Sequence, residues 1–510
     1  MVARKSSKKS TPVGARRRKA AAKKKAAAKK PTAKAAKKKA AKKAPAPSPV
    51  LVVNMIPKSL SGEDHQDSEP TIAVNPANPL QIAASAFTPD PAEGPRAPIF
   101  VSADGGQTWT LNSIVPSSVA DGSATADITV AFGSSSNVLY AGIIRFPFPG
   151  DKTRLNILRT RDFQSAAVMD VLVDRTGKGV DQPYVQATTV ASGADKGKDR
   201  VYVGDNDFNG TGGKTATIDQ TLSGAVGPTP AFKSVRIESR MTAGQDGPPV
   251  RPAIHPDGTV YAVFHSWRSF NGSTGNGTAD IVVLRDDSGG TGPNPFTDLV
   301  DPVDHKAGMR VAQGAKFNFN GFLGQQRTGG DVNIAVDPTN RKIVYVAYND
   351  DLDGFYVLHV RKSSDAGQTW TPDLRTVRDA LNPALAVNSA GKLGLLYQQL
   401  TGTGAKNWVT KFELSSGGGI PERTFVLHQA PGNRPIKQFD PYLGDYDHLM
   451  AVGKDFYGIF SGSNSPRKEN FPSGVVYQRN VNWTTSTLLD VDNSTTVNPS
   501  IDPFFFKVKG

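Results

Sequence analysis

Short apolar runs rich in valine, tyrosine and phenylalanine follow one another along the chain from Val50 onward. Glycine, asparagine, aspartate and proline separate these runs, and no long stretch has the spacing of an amphipathic helix. Runs of this length, separated by turn-forming residues, are typical of β-strands. The pattern therefore predicts an all-β protein with many turns.

One module recurs within this pattern: a short apolar strand, a turn, and a second strand rich in aromatic and β-branched residues. Each copy is followed by enough chain for two more strands, so the repeat unit has about four strands, as in the blade of a β-propeller. We predict seven blades, or six if 127–145 or 182–207 is not a module. The early run 50–56 is expected to complete the last blade beside 475–483. The copies span residues 69–87, 127–145, 182–207, 251–267, 331–350, 382–400 and 445–463.

An eight-residue segment occurs twice, as SADGGQTW at 102–109 and SSDAGQTW at 363–370, with six of the eight residues identical. It lies at the same place in two modules, at the predicted end of the third strand. An aspartate can accept backbone N–H groups inside such a loop, and glycine tolerates positive φ. The positions that define the turn are Ser102, Asp104, Gly106, Trp109, Ser363, Asp365, Gly367 and Trp370.

This S-x-D-x-G-x-x-W pattern resembles the Asp-box of the sialidase and BNR-repeat superfamily. The resemblance implies a β-propeller over about residues 50–505, in which the boxes are structural turns on the rim. It also implies that ligands bind at the mouth where the innermost strands begin. The residues predicted at those strand starts are Glu69, Asp127, Asp181, Arg251, Asp331, Asn382 and Asp445. The second-strand exits add Arg145 and the segments 204–209, 265–270 and 348–353.

The resemblance further implies an arginine triad that holds a substrate carboxylate, a tyrosine nucleophile activated by a glutamate, and an aspartate as acid and base. The Arg-Ile-Pro signature of the family is missing, and no Tyr/Glu pair is evident. The run FDPYLGDYDH at 439–448 is the most concentrated candidate segment. Arginines that could form a triad are Arg145, Arg251, Arg268, Arg327 and Arg434, and tyrosines that could act as the nucleophile are Tyr184, Tyr442 and Tyr446.

From these residues we predict two sets of functional side chains. No cofactor is evident, although Asp445 and Asp447 could together hold Ca²⁺. The catalytic candidates are Asp445, Tyr446 and Asp447. The ligand-binding candidates are Asp181, Tyr184, Arg251, Trp267, Arg268, Asp331, Asp440 and Tyr442.

The expected function is recognition of carbohydrate at the central mouth. An exo-glycosidase of the sialidase type is the alternative, and a scaffold for protein partners that its tail tethers to nucleic acid is a third hypothesis. Convergence of three arginines in one mouth would favour the enzyme. The protein is expected to act as a monomer.

The N-terminal residues 1–49 differ from the rest in composition, being mostly lysine, alanine, arginine and proline. Residues 1–47 hold 19 of the 60 basic residues and no acidic residue, which leaves 41 basic against 46 acidic residues in the remainder. Such a segment is predicted to be disordered and to bind polyanions, including nucleic acid, through residues 4–43. The chain has no cysteine, no apolar membrane span and no visible secretory signal, so a cytoplasmic location is expected.

Overall fold

A computed structural model of the chain describes residues 49–88, 98–116, 124–146, 153–175, 179–209, 213–222, 230–240, 250–329, 331–352 and 354–510. The predicted disordered tail lies outside this range except for its last residue. Within the described residues, no helix has the length and apolarity needed to cross a bilayer. The only helical elements there are two short 3₁₀ turns, Lys58–Leu60 and Lys468–Asn470.

The described strands form successive antiparallel sheets in which neighbouring strands are consecutive in the chain. Sheet 1 contains Ser68–Val74, Ile82–Phe87, Ile99–Ser102 and Thr110–Asn112. Sheet 2 contains Ala124–Phe132, Leu139–Phe146, Arg154–Thr160 and Asp170–Arg175. Sheet 3 contains Val180–Thr189, Asp199–Asp207, Ala216–Thr221 and Lys233–Arg236.

The next three sheets repeat the same order. Sheet 4 contains Val250–Ile254, Val260–Phe270, Asn276–Asp286 and Met309–Asn318. Sheet 5 contains Val332–Val336, Val344–Leu352, Phe355–Ser363 and Arg375–Arg378. Sheet 6 contains Ala380–Val387, Leu393–Thr401, Asn407–Ser415 and Arg423–Pro431.

Sheet 7 differs because it joins the two ends of the described chain. Its strands, in spatial order, are His448–Val452, Asp455–Ser463, Ile501–Val508, Val50–Asn54 and Val476–Tyr477. Outside these sheets lie a two-stranded hairpin, Phe322–Leu323 with Gln326–Arg327, and a three-stranded sheet of Val481–Asn482, Thr487–Leu489 and Thr496–Val497.

The sheets close into a ring. The first strand of each sheet contacts the first strand of the next, and the first strand of sheet 7 contacts that of sheet 1. A separate apolar cluster fills each interface between consecutive sheets, including the closing one, where Ile459 and Phe505 of sheet 7 pack with Ile72 and Trp109 of sheet 1. Radial repetition of antiparallel sheets around a central axis defines a β-propeller.

The structure confirms the recurring module. Each of the predicted copies forms the first two strands of one sheet, connected as an antiparallel hairpin. The early strand Val50–Asn54 does join the last sheet and pairs in parallel with Val476–Tyr477. Its longer pairing is antiparallel to Ile501–Val508, a strand that sequence analysis did not assign to this sheet.

The two eight-residue turns adopt the same hydrogen-bonded loop, each directly after the third strand of its sheet. The Ser102 hydroxyl donates to Asp104 Oδ1 at 2.9 Å, and the Ser363 hydroxyl donates to Asp365 Oδ1 at 2.8 Å. In both loops the tryptophan Nε1–H donates to the carbonyl of the positive-φ glycine at 3.1 Å. The matching network explains why the chain repeats these letters 261 residues apart.

Candidate functional site at the axis of the ring

The residues that begin the first strands converge at one end of the ring axis, as sequence analysis predicted. Asp445 N–H donates to Glu69 Oε1 at 3.3 Å, and Asn382 Nδ2 donates to the Gly444 carbonyl at 3.1 Å. Asp127 shares a side-chain hydrogen bond with Glu69, and its charge acts on Asp181. We define the axial cluster as Glu69, Asp127, Asp181, Arg251, Arg327, Asp331 and Asp445.

A local backbone feature recurs near the start of three of the first strands. Glu69, Gln182 and Asn382 have positive φ values of 53°, 47° and 53°, and each is followed by a proline. The pairing register shifts at the same three places, as at a β-bulge. Proline in a strand is tolerated at bulges, and strained φ at non-glycine residues is concentrated at functional sites. The X-Pro dipeptide recurs at these positions in the sequence, a signal that sequence analysis did not use.

Arg327 reaches the cluster from the inserted hairpin rather than from a first strand. Its Nε donates to Asp445 Oδ1 at 2.9 Å, and its Nη2 contacts Asp445 Oδ2, which makes the pair bidentate. The neighbouring Gln326 holds the hairpin, because its Nε2 donates to the Gly444 carbonyl at 2.8 Å and its Oε1 accepts from Leu443 N–H at 2.6 Å. The Arg327 side chain remains 30% exposed, so it borders solvent.

Arg251 lies deeper on the axis. Its guanidinium carbon is 4.6 Å from the ring centre of Tyr184 and 5.0 Å from that of Tyr446. Its Nη2 donates to Gln182 Oε1 at 3.3 Å and to Asp331 Oδ1 at 3.4 Å. Arginine between two aromatic rings is attracted to both faces, so Arg251 is held rigidly.

Carboxylates outnumber cations in the axial cluster, and burial shifts their titration. Burial, followed by the charges of Asp127 and Asp445, raises the pKa of Asp181 to about 7. Burial also raises the pKa of Asp331 to about 7, although Arg251 opposes the shift. Burial and the Asp127 charge raise the pKa of Glu69 well above its usual range. The cluster therefore combines carboxyls that protonate near neutral pH with the ion-paired Asp445.

Several buried polar atoms here have no hydrogen-bond partner among the described protein groups. They are Glu69 Oε2, Arg251 Nε and Nη1, Asp331 Oδ2, Tyr446 OH and both carboxylate oxygens of Asp447. Buried polar atoms are normally hydrogen-bonded, and leaving one without a partner costs about 1–3 kcal/mol. Their concentration on the axis points to a polar site built for additional hydrogen bonds.

The candidate nucleophile Tyr446 is not activated in this arrangement. Its side chain is 2% exposed, and burial together with the nearby Asp127 and Glu69 charges raises the pKa of its hydroxyl well above the usual value. Asp447 is 1% exposed, and burial raises its pKa well above the usual range. Burial thus favours the neutral form of both groups.

Four predicted ligand-binding residues are not brought into the cluster. Trp267 is buried among Phe270, Phe317 and Phe319. Arg268 pairs with Asp280 at 3.0 Å, because both belong to the extended hairpin of sheet 4.

The other two come from the candidate run 439–448. Tyr442 packs in an apolar cluster with Leu400 and Trp408. Asp440 is an exposed partner of Lys437 at 2.6 Å.

The five candidate arginines do not assemble as a triad in the described chain. Arg251 and Arg327 are the members of that set that pair with an axial carboxylate. Arg145 donates to Asn156 at 3.2 Å in sheet 2. Arg434 lines a groove described below.

The open space along the ring axis does not lie at the end where the mouth was predicted. At the strand-start end, the gap between Arg327, Asp331, Asn382 and Asp445 is only about 10 Å³. The larger axial cavity, of about 540 Å³, is lined by first strands of all the sheets and extends from Arg251 to the opposite end. Side chains fill the predicted mouth, where Arg327 pairs with Asp445 and Arg251 pairs with Asp331.

One group of three carboxylates in the described chain lies close enough to share a metal ion: Glu63, Asp67 and Asp502. Arg479 already neutralises this group, with its Nη1 at 2.9 Å from Asp502 Oδ2. Asp445 is ion-paired with Arg327 instead, so the calcium prediction for Asp445 and Asp447 stays a prediction.

No protein-family model matches the chain, and no curated protein matches its sequence. Solved structures that resemble it include a Penicillium chrysogenum alpha-L-arabinanase complexed with arabinobiose, at 15% identity over 68% of this chain and 93% of that chain, with a TM-score of 0.43. A GH93 alpha-L-arabinofuranosidase of Fusarium graminearum with arabinobiose is similar at 12% identity over 88% of this chain and 97% of that chain, with a TM-score of 0.44. The phage phi92 endosialidase is similar at 12% identity over 91% and 69%, with a TM-score of 0.43. Scores this low carry no argument about function.

Proposed function

We propose that the protein is a propeller whose axial cluster recognises carbohydrate. The observation that carries this proposal is the set of buried, unpartnered polar atoms around Arg251, Asp331 and Tyr446. A sugar offers many hydroxyl groups, each of which donates and accepts hydrogen bonds, and it would satisfy acceptors such as Asp331 Oδ2 and donors such as Arg251 Nη1 at once. Tyr184 and Arg251 also line the axial cavity of about 540 Å³, which gives a ligand the room to reach these groups.

Binding to a glycan array, followed by calorimetry on the best ligand, tests this proposal. At pH 8, where Asp331 is mostly ionised, Asp331→Asn should weaken affinity at least tenfold, because it removes the charge that holds Arg251 while keeping the side-chain shape. Asp440→Asn is the matched control, since Asp440 is an exposed aspartate outside the cluster. Equal affinities for the two variants would refute axial recognition.

Hydrolysis of a glycoside is the second candidate function, and the titration of the cluster favours it. Glycosidases place a protonated carboxyl and an ionised carboxylate on either side of the scissile bond. The candidates for these two roles are Asp181, whose pKa burial and neighbouring charges raise to about 7, and the nearby Asp445, which Arg327 holds through an ion pair. The protonated Tyr446 and the two rather than three clustered arginines favour a carboxylate mechanism over the sialidase type.

Fluorogenic glycosides test for turnover. A hydrolase of this kind should show a bell-shaped pH profile, and Asp181→Asn and Asp445→Asn should each lower kcat by at least a hundredfold. If glycosides bind but none is hydrolysed, recognition remains the proposed function.

The remaining proposals concern family, assembly and location. Each sheet is one blade, giving a seven-bladed ring of the sialidase and BNR-repeat type, supported by the two Asp-box turns and the interface clusters. The ring acts as a monomer in the cytoplasm, and residues 4–43 bind polyanions such as nucleic acid. A scaffold for protein partners is the alternative in which that tail serves as the tether.

A further inference from the structure

A groove of about 880 Å³ lies between the outer part of sheet 6 and the loops of sheet 7. Its walls come from the end of the last strand of sheet 6, the following loop 431–436, the 463–470 segment and the 498–499 turn. Polar residues of these segments face the space, among them Asn407, Gln429 and Asn498. The groove is distinct from the axial cluster and shares no lining residue with it.

Two arginines in this groove stand apart from the others in the described chain. Every other described arginine has a hydrogen-bond acceptor, an ion-pair partner or an aromatic ring against its guanidinium, as Arg423 has with Phe425. The guanidinium groups of Arg434 and Arg467 have none, and both residues are exposed. Because the two come from different loops and meet in one concavity, their charges reinforce each other there.

The residues that line the groove indicate which chemical groups the two arginines bind. Guanidinium groups match carboxylate and sulfate oxygens geometrically, often through two parallel hydrogen bonds. The groove has no aromatic lining residue on which a nucleic acid base could stack, whereas Pro431, Pro435 and Ile436 offer aliphatic surface and the amides offer hydrogen bonds. Glu469 is the one acidic residue that lines it, so the balance of charge is positive.

We propose that this groove binds an acidic oligosaccharide, with Arg434 and Arg467 holding its carboxylate or sulfate groups. A space of this volume accommodates a few sugar units. The proposal does not depend on the axial cluster, and it assigns to the protein a separate carbohydrate site whose charged lining is mainly basic.

The test is calorimetric titration of the full-length chain with a galacturonic acid trimer, a sulfated trisaccharide and a neutral trisaccharide. The double variant Arg434→Gln/Arg467→Gln should lose at least tenfold in affinity for the acidic trimers, because it removes two charge-assisted contacts. Arg423→Gln is the control: it removes one positive charge at the start of the strand Arg423–Pro431, whose other end borders the groove, and it should bind like the unmodified protein. Preference for one acidic trimer identifies carboxylate or sulfate as the recognised group.

The basic N-terminal segment is identical in all variants, so differences in affinity among them come from the groove. Equal affinities for the double variant and Arg423→Gln would overturn the proposal. It would also be overturned if the double variant lost affinity for a DNA oligonucleotide but kept that for both acidic trimers. Asp331→Asn, assayed in parallel, should keep the groove affinity, so that failure of the groove and failure of axial recognition can be told apart.

Discussion

At the scale of single residues, burial determines how the axial carboxyls behave. Asp331 is 4% exposed, and only one of its carboxylate oxygens has partners, namely Val332 N–H at 2.8 Å and Arg251 at 3.4 Å. The interior disfavours the ionised form more than Arg251 stabilises it, so the carboxyl protonates near neutral pH. A group of this kind is sensitive to its surroundings, and its state affects both binding and stability.

The raised pKa of Asp331 predicts a pH dependence of stability. Its pKa is about 7 in the folded chain and about 4 in an unfolded chain, so the folded state binds the extra proton between these values. The free energy of unfolding should therefore be highest below about pH 4 as far as this group contributes, and it should fall as pH rises to about 7. Asp331→Asn should flatten this slope.

Denaturant unfolding at several pH values from 4 to 8 measures the effect. Asp440→Asn is again the control, because an exposed carboxyl should leave the slope unchanged. A slope that is the same for Asp331→Asn and the unmodified protein would contradict the assignment.

At the scale of elements, the two eight-residue turns at 102–109 and 363–370 have the same hydrogen bonds but differ in burial. Trp109 is 1% exposed and packs 5.3 Å from Phe505 across the interface of sheets 7 and 1, while Gln478 Oε1 accepts from its backbone N–H at 2.7 Å. Trp370 is only partly buried against the cluster between sheets 4 and 5. The same motif thus contributes more where the ring closes.

This difference predicts unequal effects of the same substitution. Trp109→Ala should lower the free energy of unfolding by about 3–5 kcal/mol, as for a buried aromatic residue. Trp370→Ala should cost clearly less, because part of its ring already contacts water. Chemical denaturation measures both values, and ligand affinity of the folded protein should not change. Equal losses, or a loss of affinity with unchanged stability, would contradict this account.

At the scale of the whole molecule, the ring depends on a strand taken from the start of the described chain. Val50–Asn54 pairs with Ile501–Val508 along its full length, from Val50 opposite Val508 to Asn54 opposite Phe504. Buried side chains on both sides of this strand join the clusters at both interfaces of sheet 7. Without it, the edge of Ile501–Val508 would be unpaired and two cores would lose apolar contacts.

Truncation from the N-terminus should therefore show a sharp boundary. A chain that begins at Ser48 should unfold like the full-length protein, since it retains every strand of sheet 7. A chain that begins at Lys58 should unfold at a clearly lower temperature and aggregate through its open strand edge. Thermal unfolding and size-exclusion chromatography distinguish the two, and similar melting of both chains would show that the strand is dispensable.

Much of this architecture was readable from local sequence because strand pairs and tight turns depend on neighbouring residues. The hairpins at 69–87 and 331–350 were recognisable from two apolar runs around a turn, and the eight-residue turn was recognisable from its repeated letters. The convergence of Glu69, Asp181 and Asp445 also followed from the repeat, since equivalent strands begin at the same end of the ring.

Contacts between segments that are distant in the chain could not be predicted from the sequence. Three features depend on which parts of the chain meet after folding. Arg327 pairs with Asp445, and Trp267 and Tyr442 are packed into apolar clusters. The strand Ile501–Val508 lies between Asp455–Ser463 and Val50–Asn54. Burial is likewise a tertiary property, so the raised pKa of Asp331 and the unpartnered state of Arg434 and Arg467 could not be inferred from residue type. The repeating sequence by itself determined the strands, their hairpins and the end of the ring at which the charged residues lie. Only the closed ring determined which of those charged residues are paired, buried or unpaired. The reason is that pairing requires groups far apart in the chain to come within a few ångströms.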